Sequence, residues 1–297
     1  MKSRTALDGL DSRDRVGLPW DMKIDSHHHL WAINDTDYPW IDEEKSVIRR
    51  DFLAGDAARN FKSSGIGGSV VVQARQIVEE TEWLLGLAEA NDWMRGVVGW
   101  VPLLEDAGEP FLERFAPHPK LCGVRHVVHD EPDDDFILRE DFNEGIRRLM
   151  NYGLVYDILI FEKHLPQTIE FVDRHPEQIF VVDHIAKPVV RRDAFDEAWA
   201  KNTRELARRE NVSCKVSGMV TEVRDAEWDV DLLRPYFETV LEAFGAGRLM
   251  FGSDWPVCLL RSEYGQWVEC VTELVAGLSE EEKAAIWGGN AVRIYGF

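Results

Sequence analysis

The chain has 297 residues, 45% hydrophobic and 30% charged, a composition that sustains a large core in one large domain or two smaller ones. Lys and Arg number 34 against 54 Asp and Glu, and the resulting net charge of −20 repels nucleic-acid phosphates and anionic lipid but not a small neutral molecule. No window approaches the run of about 18 apolar residues that spans a membrane, so neither a nucleic-acid nor a membrane partner is expected.

Residues 1–21 are polar and charged and lack the apolar stretch of a secretory signal. They are expected to form a loosely ordered extension, unless Leu18 and Trp20 pack into the core. From Met22 onward, short β-rich runs alternate with helical patterns. The first strand signal is "MKIDSHH", followed by "GGSVVVQAR", "RGVVGWVPL" and "LCGVRHVVH". In "DFNEGIRRLMNYG", Phe142, Ile146 and Leu149 share one helical face, and Gly153 ends the pattern. The strand signals "LVYDILI", "QIFVVDHIA" and "VSCKVSG" come next. A helix is then predicted in "DLLRPYFETVLEAFG", where Leu233, Phe237, Val240, Leu241 and Phe244 form one stripe and Gly245 stands at the cap. The last strand signal is "RLMFGSDWP", and Ser279 and Glu282 have the S-x-x-E spacing of a capping box.

Eight strand signals, each followed by a helical stretch, predict an α/β fold: a single-domain (β/α)8 TIM-like barrel over residues 22–297. The near-continuous apolar "SVVV" and "IFVV" suit parallel strands buried on both faces. A doubly wound sheet fits less well, because "GIGGS" is not a G-x-G-x-x-G turn opening a helix. Cys122, Cys214, Cys258 and Cys270 include no C-x-x-C pair and read as free thiols of a reducing cytoplasm.

Chemistry in such a barrel collects at the C-terminal ends of the strands. Side-chain alternation puts His27 and His29 on one face with Asp25, and His28 on the other. Two imidazoles so placed suit metal binding or polarisation of a carbonyl. His184 ends the sixth run, with Asp183 expected on the opposite face, and Asp254 ends the eighth. His27, His29, His184 and Asp254 are therefore the predicted catalytic group. Arg125, Lys215, Gln73 and Asp157 are candidates for orienting a polar substrate, with Arg75, His126 and Ser217 as further polar positions. Arg125 and His126 face opposite ways, so only one should reach the cavity. Trp31, Tyr38 and Trp40 follow the first strand; they are expected to cover the rim, with Trp31 a candidate wall for a sugar ring.

Taken together, "IDSHHHLW", "VVDHIAKP", "FGSDWPV" and "GGNAVRIYGF" resemble the amidohydrolase superfamily, and more narrowly its lactonase branch of the fuconolactonase and rhamnonolactonase type. The resemblance runs from about Met22 to Phe297. It implies a barrel hydrolase whose last-strand aspartate, here Asp254, is the base, whose first-strand histidines, His27 and His29, act on the carbonyl, and whose further histidine is His184. It also favours Arg125 over His126. The substrate it implies is a sugar (aldonic acid) lactone. The sequence departs from the two-metal members, which carry a lysine in the fourth strand and a histidine in the fifth; "GVRHVVH" and "VYDILI" have neither. The expectation is no required cofactor, or one divalent metal such as Zn on His27, His29, His184 or Asp254. The alternatives are a metal-dependent decarboxylase of the same superfamily and a non-catalytic sugar-binding barrel.

Overall fold

The computed structural model describes residues 22–34, 37–104 and 108–297. The proposed extension at residues 1–21, with Leu18 and Trp20, lies outside the described residues. Eight parallel strands run in chain order around one sheet: β1 (Lys23–His28), β2 (Ile66–Val72), β3 (Met94–Gly99), β4 (Leu121–Val127), β5 (Val155–Leu159), β6 (Phe180–Val182), β7 (Val212–Val216) and β8 (Leu249–Phe251). All eight coincide with predicted strand signals. Around them lie α1 (Ala54–Ser64), α2 (Val78–Ala90), α3 (Glu109–Phe115), α4 (Glu140–Tyr152), α5 (Leu165–Asp173), α6 (Glu197–Leu206), α7 (Val230–Phe244), α8 (Tyr264–Leu274), α9 (Glu280–Ala284) and α10 (Asn290–Tyr295). The fold is the expected single-domain (β/α)8 barrel.

The ring closes just past the ends of β1 and β8, where Asp254 N–H donates to the His27 carbonyl (2.8 Å) and His29 N–H to that of Trp255 (2.6 Å). The predicted helix signals act as read. Gly153 ends α4 in the left-handed region at φ 65°, a conformation that a Cβ would penalise. Ser279 and Glu282 cap α9 reciprocally, with Glu282 N–H donating to Ser279 Oγ and Ser279 N–H to Glu282 Oε2.

Two apolar layers hold the barrel. The outer one, between strands and helices, contains Phe61, Leu84, Phe142, Phe171, Trp199, Phe237 and Trp267. The inner one joins Ile24, Val70, Val72, Val98, Cys122, Val155, Val181 and Met250 to Ala291 and Tyr295 of α10. The C-terminal helix thus plugs the N-terminal mouth of the barrel and leaves the opposite mouth for chemistry. All four cysteines are buried free thiols. Among the described residues no helix is long and apolar enough to cross a membrane.

Candidate active site

The strand-end imidazoles owe their placement to an irregularity in β1. Between Asp25 and His28 the pairing advances three residues on β1 against two on β2, from Asp25↔Ser69 to His28↔Val71. Strict alternation therefore fails, and Asp25 does not join the histidines as expected. Its carboxylate accepts from the N–H groups of His27 (3.1 Å) and Ser253 (2.9 Å) and from the Tyr264 hydroxyl of α8 (3.1 Å). It ties β1 to the turn after β8. His28 faces away from the cavity, with Nε2 2.9 Å from Ser69 Oγ and its ring against Phe61. His27 and His29 meet as predicted, their Nε2 atoms 3.2 Å apart.

Asp254 arrives from the turn after β8 in a left-handed conformation, φ 57°. Its Oδ1 lies 3.4 Å from His29 Nε2 and 3.8 Å from both His27 Nε2 and His184 Nε2. The four residues of the predicted catalytic group thus converge on one point, each less than a tenth exposed.

The position of Asp183 requires a correction. Alternation put it opposite His184, but β6 ends at Val182, and His184, Ile185, Ala186 and Lys187 all take φ between 48° and 61°. That single left-handed turn brings both side chains to the same pocket. His184 Nδ1 lies 2.9 Å from Ser217 Oγ. Asp183 Oδ1 lies 3.2 Å from His27 Nδ1, and Oδ2 accepts from Arg125 Nη1 at 3.0 Å. Sequence reasoning missed Asp183; its adjacency to His184 was the available signal, and strand periodicity argued against it.

The substrate-orienting candidates divide by depth. Arg125 reaches the pocket, with Nη1 3.3 Å from His27 Nε2, and Gln73 holds it through Oε1, which accepts from Nε (3.0 Å) and Nη2 (2.6 Å). His126 points elsewhere, to Glu131 and Trp100. Arg75 pairs with Asp37 and Glu80. Lys215 and Asp157 sit below, fully buried: Lys215 Nζ is 2.5 Å from Asp157 Oδ2, 3.0 Å from Asp183 Oδ1 and 3.1 Å from His27 Nδ1. Asp157 also accepts from the Tyr295 hydroxyl at 2.9 Å. Trp31 is buried at the rim, donating to the Arg50 carbonyl at 2.9 Å and stacked 6.5 Å from His29. Tyr38 and Trp40 pack on it.

Burial drives the His27 imidazole well below its ordinary 6.5, with Asp183 opposing and the Lys215 charge adding to the drop. The same desolvation takes His184 to about 4. Burial would raise Asp254, but His184 and His29 outweigh it and hold the carboxyl below 3.8. Asp183 is likewise opposed by burial and driven well down by Lys215, His27 and Arg125. At neutral pH the pocket therefore holds two carboxylates beside neutral His27 and His184.

His27, His29 and Asp254 form a group able to hold a metal. Tetrahedral N and O ligands of zinc, about 2.0–2.2 Å from the ion, stand roughly 3.3–3.5 Å apart. The separations here, 3.2, 3.4 and 3.8 Å, are close to that spacing. The tautomer agrees. The Val72 carbonyl can only accept, so His29 Nδ1, 2.8 Å away, carries its proton and Nε2 turns a lone pair toward the Asp254 oxygen. A cation or a second proton between those two atoms would remove the repulsion.

A family model described as "Amidohydrolase" matches residues 24–297. Among curated relatives, an L-fucono-1,5-lactonase of Burkholderia multivorans is 39% identical over 290 residues, covering 92% of this chain and 96% of its own. A second L-fucono-1,5-lactonase, from Burkholderia ambifaria, is 36% identical over 280 residues, covering 92% and 95%. Among solved structures, an amidohydrolase from Burkholderia multivorans with bound zinc superposes with a TM-score of 0.88 at 37% identity, covering 93% of this chain and 99% of that one.

Proposed function

The chain belongs to the amidohydrolase family, and from that premise we propose that it is a lactonase opening the ring of a sugar (aldonic acid) lactone. The observation that carries this reading is the Asp254 carboxylate held within 3.4–3.8 Å of three imidazole nitrogens at the mouth of the barrel. The kinship to fuconolactonases supplies the substrate class.

A lactone is an activated ester, so a base and an anion-stabilising pocket are sufficient. Asp254, ionised because His184 and His29 hold it below the ordinary carboxylate range, takes a proton from a bound water as that water attacks the carbonyl carbon. The imidazoles of His27 and His184 face the oxygen on which charge develops, His29 acts there through a bound cation, and the Arg125 guanidinium adds a fixed positive charge 3.3 Å from His27. Protonated Asp254 then returns its proton to the ring oxygen as the C–O bond breaks. One divalent ion, with zinc the natural candidate, would be held by His27, His29 and Asp254, with His184 beside it, and would polarise the carbonyl and acidify the water. Arg125 and Gln73 are the groups placed to orient substrate hydroxyls, and Trp31 backs His29 from the rim. Lys215 and Asp157, both fully buried, act through His27 and Asp183 in this reading.

Proton release from a panel of aldonic-acid lactones, with and without a chelator, tests the activity. Evolution of CO2 from an aromatic acid in place of lactone opening would transfer the site to the decarboxylase reading. Asp254→Asn should lower kcat by about 10²–10⁴ while KM stays within a few-fold. A variant turning over near the wild-type rate would remove Asp254 from the reaction.

A further inference from the structure

Beneath the group at the mouth lies a second set of metal-type donors. His27, Asp183 and His184 place three ligand atoms within 4.8 Å of one another, all buried. Imidazole and carboxylate in such an array suit a divalent transition ion. Two of its three members, His27 and Asp183, however, already face a cation. Lys215 Nζ stands 3.1 Å from His27 Nδ1 and 3.0 Å from Asp183 Oδ1, and its third neighbour is Asp157 Oδ2 at 2.5 Å. Its charge therefore lies within 3.0 Å of an oxygen of each of two buried carboxylates.

The charge count agrees. Asp157 and Asp183 are balanced by Lys215 and Arg125, which reaches Asp183 Oδ2 at 3.0 Å. A divalent ion added to this set would leave two surplus positive charges in a desolvated core. The lysine is also held from below, because Tyr295 of α10 donates to both oxygens of Asp157 (3.0 and 2.9 Å). Stability alone does not explain such a column in a barrel interior otherwise lined by Val70, Val98, Val181 and Met250, since apolar residues of similar volume serve as well or better.

We propose that the Lys215 ammonium, beside His27 and Asp183, is a built-in cation that keeps a metal ion out of the inner His27–Asp183–His184 set, so that the pocket admits at most the one ion of the outer His27–His29–Asp254 group. Lys215 is then a positioning residue: it holds Asp183 and His27 as an inner ion would, without exchanging with solvent.

Zinc bound per chain, measured by elemental analysis after equilibrium dialysis of the full chain against Zn²⁺, tests this without any substrate and so stands apart from the lactonase reading. The wild type should hold no more than one zinc. Lys215→Ala, which vacates the position and leaves two carboxylates facing it, should hold one more than the wild type. Should that variant fail to fold, the charge-balanced pair Lys215→Ala with Asp157→Asn is expected to gain the same ion. Adding Asp183→Asn to either should abolish the gain. Two zinc ions in the wild type, an unchanged count in a folded Lys215→Ala or double variant, or a gain that survives Asp183→Asn would each overturn the proposal.

Discussion

The protonation of individual side chains makes the proposed chemistry open to measurement. Asp254 titrates below 3.8, His27 well below 6.5 and His184 at about 4. As pH falls from 7 through 6.5, none of these three gains a proton. Proton transfer by Asp254, followed as kcat/KM, should therefore persist as pH falls through 6.5 and fail only below the ordinary carboxylate range. A midpoint near 6.5 in that profile would assign the proton transfer to another group. His27, His29, His184 and Asp254 were legible in the sequence because each ends a strand run, where side chains of a parallel barrel converge. Asp183 was not, since the rule that finds strand-end residues is the rule that the chain breaks after Val182. Tyr295 was equally out of reach: nothing in "AVRIYGF" signals that its hydroxyl meets Asp157, 138 residues earlier.

At the level of elements, the turn His184–Lys187 departs most from local preference. Four successive non-glycine residues with φ of 48–61° each cost roughly 1–2 kcal/mol relative to the right-handed region. Such a conformation persists only where surrounding packing dictates it. Here Ile185 and Ala186 are buried, and the Trp199 indole donates to the Ile185 carbonyl at 2.7 Å. Gly218 lies directly behind. A Cβ there would come within 2.6 Å of His184 Nδ1, and its own φ is 61°. Gly218→Ala should push His184 out of line, lowering kcat about tenfold or more and stability by about 1–2 kcal/mol, read from turnover and a thermal melt of the same preparation. Unchanged turnover would show that His184 needs no fixed position. The strands and the helices α4, α7 and α9 were readable from periodicity and caps. This turn was not, because its conformation is imposed by contacts distant in sequence and no residue within it prefers that state.

For the molecule as a whole, burial of neutral imidazoles ties stability to pH. His27, His28, His126, His129, His175 and His184 are all shifted down, chiefly by desolvation. Above 6.5 they are neutral in both folded and unfolded chains and contribute no pH dependence. Below it the unfolded chain takes up protons that the folded one refuses, so stability falls with pH, by about 1.4 kcal/mol per pH unit for each proton of difference. Asp25 and Asp157, which burial pushes up to about 6, and Glu80, pushed up to about 7, act in the opposite direction over the same window, but the histidines outnumber them. The urea midpoint should therefore drop steadily from pH 7 to pH 5; a flat or rising midpoint would mean that these imidazoles are charged in the native protein.

The seam between the first and last strands has a temporal consequence. The atoms that close the ring, the His27 carbonyl with the Asp254 amide and the Trp255 carbonyl with the His29 amide, belong to or adjoin the residues proposed to do the hydrolysis, and they lie more than 220 positions apart along the chain. A ribosome must finish nearly the whole polypeptide before these partners can meet, so unfinished or truncated products should be inert rather than feebly active. In refolding from denaturant, recovered turnover would serve as a clock for this final joining, lagging any signal from helix formation.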